Sequence, residues 1–211
     1  MKALTLYRGL GVAVAFHTRV RALTCPMAAV VARLPGEGRL LEVGCGHGLF
    51  SNEAALVHPD LHVLGVDPSA AKIHWAEQTS VGRANVAFRR QRVEEVPESA
   101  FDAVAVLDVL YLVPRAEWPA FLRACRERLR PGGRFLLKEV DVRPRWKFYR
   151  CLLQEAVSVR LLGITLGQEF AFEPPASMSA LLEEAGFRGV TVTPLGRGYV
   201  TPHVLYEATP A

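Results

Sequence analysis

From residue 39 onward, the sequence alternates between short apolar runs and longer stretches whose apolar residues recur with the period of a helix. This alternation is typical of βαβ units, in which helices join parallel strands and cover the sheet. The predicted strands are residues 40–43, 62–66, 86–89, 103–107 and 134–140. The sequence therefore predicts an α/β fold built on a parallel sheet.

The end of the chain has a different pattern. Two runs with strand-like alternation, residues 190–194 and 203–207, are separated by a loop that contains Gly196 and Gly198. Runs joined so closely pair antiparallel, because a parallel partner needs a crossover of about a dozen residues or more. The sheet is therefore expected to end in an antiparallel hairpin.

The first 38 residues are expected to be helical and to pack over one end of the sheet, stopping at Pro35-Gly36. They superficially resemble a signal peptide, but Arg8 interrupts the apolar segment, and no run approaches the roughly 18 apolar residues of a membrane span. We interpret this segment as a cytoplasmic N-terminal helix, with peripheral contact to a membrane surface left open.

Length, charge and cysteines bound the protein class. A chain of 211 residues, half of them apolar, fits a single domain, and its net charge of +4 is too mild to indicate a nucleic-acid partner. The cysteines are far apart, without metal-binding spacing, so we expect reduced thiols and no metal site. They are Cys25, Cys45, Cys125 and Cys151.

Three glycines alternate in the stretch "LLEVGCGHGLFS", between the first predicted strand and a helix that starts near residue 49. Gly44, Gly46 and Gly48 permit positive φ and leave the backbone bare. The helix N-terminus adds free N–H groups and partial positive charge. A nucleotide-like ligand fits such a loop, and a purely structural turn is the alternative.

An acid follows the second predicted strand. Asp67 lies 19 residues after Gly48, where it can accept both hydroxyls of a ribose, or instead cap a helix that begins at Pro68. The glycine spacing is G-x-G-x-G with leucine at position 49, whereas a dinucleotide fingerprint requires G-x-G-x-x-G. The spacing therefore argues against NAD.

Four segments carry a resemblance to a known family: "EVGCGHG", "GVDPS", "FDAVAVLDVLYLVP" and "LRPGGRFLLKEVD". In this order they resemble the motifs of class I S-adenosylmethionine-dependent methyltransferases that act on small molecules. The resemblance implies a doubly wound, seven-stranded, mostly parallel Rossmann-like sheet whose last strand is antiparallel. It divides the single domain into a helical cap (1–38), a cofactor-binding core (39–141), a substrate-side insertion or lid (142–176), and a helix with the terminal hairpin (177–211).

The same resemblance implies how the cofactor is held. Glu42 and the loop backbone would hold the methionine end, Asp67 the ribose, and the end of the fourth strand would lie near the sulfonium. Similar enzymes often carry an acid for the adenine amino group where Arg92 stands here, so Glu94, Glu95 or the backbone near Val93 are the alternatives. The residues expected to contact S-adenosylmethionine, or its product S-adenosylhomocysteine, are Glu42, Gly44, Cys45, Gly46, Gly48, Asp67, Pro68, Val93, Glu94, Leu107 and Asp108.

Candidate catalytic residues follow the fourth strand. Asp108 and Tyr111 are the candidates, although many similar small-molecule enzymes have a histidine where Tyr111 stands, and a tyrosine is a weaker base at neutral pH. Tyr111 would contact the acceptor or simply anchor its loop. His47, within the glycine loop, could donate to the cofactor carboxylate, although that position is variable in the family. Glu139 and Asp141 end the fifth strand and would contact the substrate or face solvent. The fourth strand lacks the N-P-P-[YF] or D-P-P-[YF] cluster of enzymes that methylate a flipped base, so a nucleic-acid substrate is not expected.

The insertion carries the clues to the acceptor. Apolar residues recur at helical spacing at Trp146, Tyr149, Leu153, Val157 and Leu161, beside the cations Arg143, Arg145, Lys147 and Arg150. Such a helix packs on the sheet, covers a substrate or lies on a membrane. We interpret the chain as an enzyme that methylates a small molecule, with an aromatic or lipid-like acceptor favoured. A non-catalytic cofactor-binding protein that docks a membrane or partner is the alternative. The acceptor atom and the oligomeric state stay open.

Overall fold

In a computed structural model, which describes residues 1–142 and 172–211, the chain forms a seven-stranded sheet. The strand order is β3-β2-β1-β4-β5-β7-β6; the first five strands run parallel, and β7 is antiparallel to both of its neighbours. The strands are β1 (Glu37–Val43), β2 (Asp60–Val66), β3 (Val86–Arg89), β4 (Phe101–Leu107), β5 (Leu129–Val140), β6 (Phe187–Pro194) and β7 (His203–Pro210). The predicted fold class is confirmed, including the terminal hairpin.

Helices cover both faces of this sheet. They are α1 (Val12–Thr24), α2 (Met27–Val31), α3 (Leu49–Val57), α4 (Ala70–Ser80), α5 (Trp118–Arg128) and α6 (Pro175–Glu184). One apolar cluster joins Leu40 and Leu136 to α1–α4, and the other joins Leu41 and Leu137 to α5 and α6. Neighbouring residues of a strand thus point into opposite layers, which explains the continuous apolar runs of the central strands.

The predicted bounds of β3 agree with the structure, and the other six strands are longer than predicted. β5 begins at Leu129, before the predicted start at 134, because Leu129 already pairs with Phe101 and the residues up to Arg134 bulge out of the register. The predicted N-terminal helix is divided at Cys25, which is extended because it precedes Pro26.

The N-terminal segment is tied to α3. A 3-10 helix at Lys2–Tyr7 precedes α1, and the buried Glu53 carboxylate accepts hydrogen bonds from the backbone N–H groups of Lys2, at 3.1 Å, and Ala3, at 2.7 Å. Ala3 and Tyr7 lie in the same apolar cluster as Leu40. The segment therefore packs against the helical layer that contains α3.

The predicted apolar stripe and basic cluster between residues 143 and 161 lie outside the described residues, as does Cys151. Cys25, Cys45 and Cys125 are buried free thiols. Across residues 1–142 and 172–211, no helix combines the length and the apolar composition needed to cross a bilayer.

Candidate active site

A cavity of about 680 Å³ opens at the carboxyl ends of β1, β2 and β4. It lies where the strand order reverses direction, between β1 and β4, which is where open α/β sheets bind ligands. Its volume is in the range of small-molecule sites. Every predicted cofactor or catalytic residue except Gly48 lines it: Glu42, Gly44, Cys45, Gly46, Asp67, Pro68, Val93, Glu94, Leu107, Asp108 and Tyr111.

The three loop glycines all have positive φ but meet different surroundings. A Cβ on Gly44 would lie 2.4 Å from the side chain of Val109, and one on Gly48 would lie 2.5 Å from the ring of Phe88. A Cβ on Gly46 would meet nothing closer than Lys72, at 4.0 Å. Two of the glycines therefore permit close packing within the protein, and of the three only Gly46 has open space where a Cβ would project.

Asp67 closes this loop at the end of β2. One carboxylate oxygen accepts a hydrogen bond from the N–H of Gly46, at 3.0 Å, and the other accepts one from the N–H of Ser69, at 2.8 Å. The helix cap is Ser69 rather than Asp67, because α4 begins at Ala70 and the Ser69 hydroxyl accepts from the N–H of Lys72. The capping alternative for Asp67 is therefore wrong. The carboxylate lies in the cavity wall with lone pairs left for further donors.

Glu42 is a second buried carboxylate in the cavity wall. It accepts hydrogen bonds from the N–H of Ser51, at 3.0 Å, and from the Ser51 hydroxyl. Burial raises the pKa of Glu42 to about 7, against the opposing effect of these two donors. A cationic group beside Glu42 would favour its ionised form.

The 3-10 helix Val93–Glu95 contributes another part of the cavity wall. Glu95 accepts a hydrogen bond from the N–H of Arg92, at 2.8 Å, so its carboxylate is used in capping, whereas Val93 and Glu94 line the cavity. Gln91 also lines it, and its buried Oε1 has no hydrogen-bond partner in the described part of the chain. Sequence reasoning missed Gln91, and its place directly before Arg92 is the one local signal that could have indicated it. Bare backbone at Gly46, two buried carboxylates and this unpaired oxygen fit S-adenosylmethionine.

Asp108 follows β4 in the left-handed region, with φ of 58°. Its carboxylate forms ion pairs with the fully buried Lys138 of β5 and with Arg21 of α1, the latter at 2.7 Å. Burial works against ionisation, but the two cations hold the pKa of Asp108 well below its usual range. Sequence reasoning missed both cations. Arg21 lies outside the motifs, and Lys138 lies within "LRPGGRFLLKEVD", but its pairing with Asp108 depends on the register of β4 against β5, which no local pattern specifies.

Glu139 lies behind the same loop. It is buried, and its Oε1 accepts hydrogen bonds from the N–H groups of Val109, at 3.2 Å, and Leu110, at 2.9 Å. Burial, followed by the charge of Asp108, raises the pKa of Glu139 to about 8. Glu139 has neither of the two placements left open for it, because it is buried rather than facing solvent and it is not among the residues that line the cavity. Asp141 lies outside the cavity lining, and its N–H donates to the carbonyl of Pro202.

Aromatic side chains also line the cavity. Tyr111 lies in the 3-10 helix Leu110–Leu112, and its ring stacks on Phe172 at 5.3 Å between centroids. Opposite the glycine loop, the imidazole of His17 on α1 contacts that of His47, at 4.9 Å. Helix α1 thus forms a wall of the site, which the sequence did not indicate.

Comparisons with known proteins agree with this geometry. A family model described as "Methyltransferase domain" matches residues 17–192. The ubiquinone biosynthesis O-methyltransferase of Xanthomonas axonopodis pv. citri (strain 306) is 31% identical over 163 residues, which are 75% of this chain and 66% of that protein. The enzyme of the same name from Marinobacter nauticus is 32% identical over 176 residues, which are 76% and 70% of the two chains.

Solved structures share the fold at lower identity. The S-adenosylmethionine-dependent methyltransferase SibL superposes with a TM-score of 0.73 at 21% identity over 93% of this chain. Human N-acetylserotonin methyltransferase in complex with SAM superposes with a TM-score of 0.67 at 19% identity over 99% of this chain. This chain covers 57% and 56% of those two chains. From the family match and the curated relatives, the chain belongs to the class I S-adenosylmethionine-dependent methyltransferase family.

Proposed function

We propose that this chain transfers the methyl group of S-adenosylmethionine to a hydroxyl oxygen of a small, largely apolar and aromatic acceptor. The observation that carries the proposal is one cavity with two kinds of lining. It is lined by the loop after β1 with the carboxylates Glu42 and Asp67, and also by Tyr111, Leu112 and Phe121, which follow β4 in sequence. A cofactor and an apolar acceptor would therefore meet in the same cavity.

The curated relatives support oxygen as the acceptor atom, since both are named O-methyltransferases. This chain spans 66% and 70% of their lengths, so their acceptor is a guide to chemistry rather than an assignment. Family membership also argues against the nicotinamide-dependent alternative, in agreement with the G-x-G-x-G spacing.

The cofactor, when bound, supplies a methyl group on a cationic sulfur that is already activated for transfer. The chain's part is to bind and orient the reactants and to exclude water. In this proposal Gly46 and Glu42 hold the methionine end, Asp67 the ribose, and Gln91, Val93 or Glu94 the adenine. The loop after β4 positions the acceptor against the sulfur.

Asp108 is assigned a positioning role. Both of its carboxylate oxygens are taken by cations, and its depressed pKa makes it a poor proton acceptor. It fixes the loop after β4 against α1, whereas Tyr111 contacts the acceptor. A phenol, which loses its proton more readily than an aliphatic alcohol, places the smallest demand on such a site.

The test is a matched acceptor series incubated with methyl-labelled S-adenosylmethionine. It compares catechols of increasing alkyl length with the corresponding aromatic diamines and with small polar alcohols, and product mass is the readout. The expected result is label on the catechols, with kcat/KM rising as the alkyl group lengthens. Label on the diamines alone, or a preference for polar acceptors, would overturn the proposal. S-adenosylhomocysteine binding with no transfer to any acceptor, lipid extract included, would favour the non-catalytic alternative.

A further inference from the structure

Helix α1 exposes apolar side chains on the face turned away from the protein. Val12, Phe16 and Leu23 are 89%, 68% and 78% exposed, whereas Val14 and Thr18 are buried against the protein. At 3.6 residues per turn the three exposed side chains fall within about 40° of one another around the helix axis. A helix that is apolar on both faces indicates that its outer face has a partner.

The charges around this face select the kind of partner. Residues 1–36 contain the cations Lys2, Arg8, Arg19, Arg21 and Arg33 and not a single acid. Arg21 and Arg33 form ion pairs with Asp108 and Glu207, but Lys2, Arg8 and Arg19 are exposed. Arg19 lies on the same side of α1 as Phe16 and Leu23. An apolar stripe in a segment whose charged residues are all cationic is complementary to the surface of an anionic bilayer.

We propose that the outer face of α1, formed by Val12, Phe16, Arg19 and Leu23, docks peripherally on an anionic lipid bilayer. The apolar side chains enter the boundary between headgroups and acyl chains, and the exposed cations lie among the lipid phosphates. The helix would lie in the plane of the interface.

The inner face of α1 makes this surface relevant to the enzyme. His17, Thr18 and Arg21 line the cavity, and the carbonyl of Thr24 lies 2.7 Å from Nε2 of His203 on β7. The same helix is therefore a wall of the cavity and the docking surface. An acceptor dissolved in the bilayer would reach the cavity beside α1. The docking proposal does not rest on the acceptor, because binding to vesicles is measured without any methyl transfer.

The test is vesicle flotation of the full chain, with phosphatidylcholine vesicles compared with vesicles that also contain phosphatidylglycerol. The wild type is expected to float with the anionic vesicles and to be released by high salt. The double variant Phe16→Ser/Leu23→Ser is expected to bind at least about tenfold more weakly, because two apolar side chains that would enter the bilayer are removed. Arg8→Gln/Arg19→Gln should lose the preference for anionic vesicles. The matched control is Val81→Ser, which removes an equally exposed apolar side chain at the far end of α4.

Folding is checked by S-adenosylhomocysteine affinity, which these variants should leave unchanged, since none of the substituted residues lines the cavity. If the double variant fails to fold, the single variant Leu23→Ser carries the same comparison. The proposal is overturned if the wild type ignores anionic vesicles, or if the double variant floats as well as Val81→Ser. A wild-type dimer that becomes monomeric in the double variant, without vesicle binding, would assign the face to self-association instead.

Discussion

At the scale of single residues, the glycine loop divides into separate tasks. Gly44 permits the approach of Val109 and Gly48 that of Phe88, and the bare backbone of Gly46 faces the cavity. Sequence spacing treats the three alike, because each has the same local signal of a positive φ. Their difference arises from side chains that are 40 to 65 positions away in sequence, at 88 and 109.

Gly46→Val is expected to abolish binding of S-adenosylhomocysteine while leaving the chain folded. The branched side chain would project into open space where the methionine end is proposed to lie, although a positive φ costs a non-glycine residue about 1–2 kcal/mol. Gly82→Val is the matched control, since Gly82 also has a positive φ and nothing within 4 Å of its Cβ position. Calorimetry and thermal unfolding should show similar destabilisation in both variants and loss of binding in the first alone. Unchanged affinity in Gly46→Val would contradict the placement of the cofactor.

Glu42 gives the cofactor site a pH dependence. With a pKa of about 7, the free carboxyl is protonated below neutral pH and must lose its proton to pair with a cationic amino group. S-adenosylhomocysteine affinity is therefore expected to fall as pH decreases from about 8 to 6. Glu42→Gln should bind at least about tenfold more weakly at the upper pH and lack this dependence. Calorimetric titrations of both proteins across the range provide the check, and a flat wild-type profile would exclude this role for Glu42.

At the scale of elements, local signals predicted the strands well and the loops behind the site poorly. Alternation, apolar runs and turn residues lie within a few positions of each other, so β3 was located at its true bounds. The inward placement of Glu139 could not be predicted, because its partners are N–H groups 29 and 30 positions earlier. Contacts of that separation depend on the register of β4 against β5, which no local pattern specifies.

Glu139 stabilises the loop that carries Tyr111. Glu139→Ala leaves the N–H groups of Val109 and Leu110 without their acceptor and is expected to cost about 1–3 kcal/mol of unfolding free energy. Glu139→Gln retains a carbonyl acceptor and removes the charge. Glu139→Gln should therefore lose much less unfolding free energy than Glu139→Ala. The values of kcat/KM should decrease in the same order as the stabilities, from wild type through Glu139→Gln to Glu139→Ala. Denaturant unfolding of the three proteins is the measurement, and equal stability of Ala and Gln variants would contradict the capping role.

The raised pKa of Glu139 also predicts how the stability of Glu139→Gln relative to the wild type changes with pH. The pKa of Glu139 is raised to about 8 in the folded chain from an ordinary value of 4.5, so folding favours the protonated form. That contribution is complete below about pH 4.5 and is lost as pH rises towards 8. Glu139→Gln, which is always neutral, should therefore gain stability relative to the wild type between about pH 5 and 8. Denaturation midpoints of both proteins at the two ends of this range test the prediction. If the advantage of Glu139→Gln over the wild type shrinks as pH rises, the raised pKa of Glu139 is wrong.

At the scale of the whole molecule, one part of the cavity wall was predictable from the sequence and another was not. The predictable part comes from motifs at the ends of β1, β2 and β4, each readable within its own segment. The other part brings α1 against the end of β4, where the Arg21–Asp108 ion pair spans 87 positions. Only the closed fold places these residues together.

Asp108 also forms a buried ion pair with Lys138 of β5, which stabilises this part of the fold. In Asp108→Asn the side chain still suits a positive φ, but the fully buried Lys138 loses its carboxylate, which is expected to cost about 3–5 kcal/mol. Adding Lys138→Met should recover most of this loss, because it removes the unpaired charge. Equilibrium denaturation of the single and double variants tests the coupling. Wild-type stability combined with lost activity in Asp108→Asn would instead indicate a direct role in the reaction.

The pairing of Asp108 with Lys138 also limits how such a chain can evolve. Lys138 loses its carboxylate if Asp108 changes first, so such a lineage passes through a poorly folded intermediate, whereas Asp108 keeps Arg21 as a partner if Lys138 changes first. The order of change is accordingly constrained: a descendant that replaces Asp108 must replace Lys138 earlier or at the same time. Drift in this wall of the site is slow for reasons of folding, even where the acceptor imposes no selection at all.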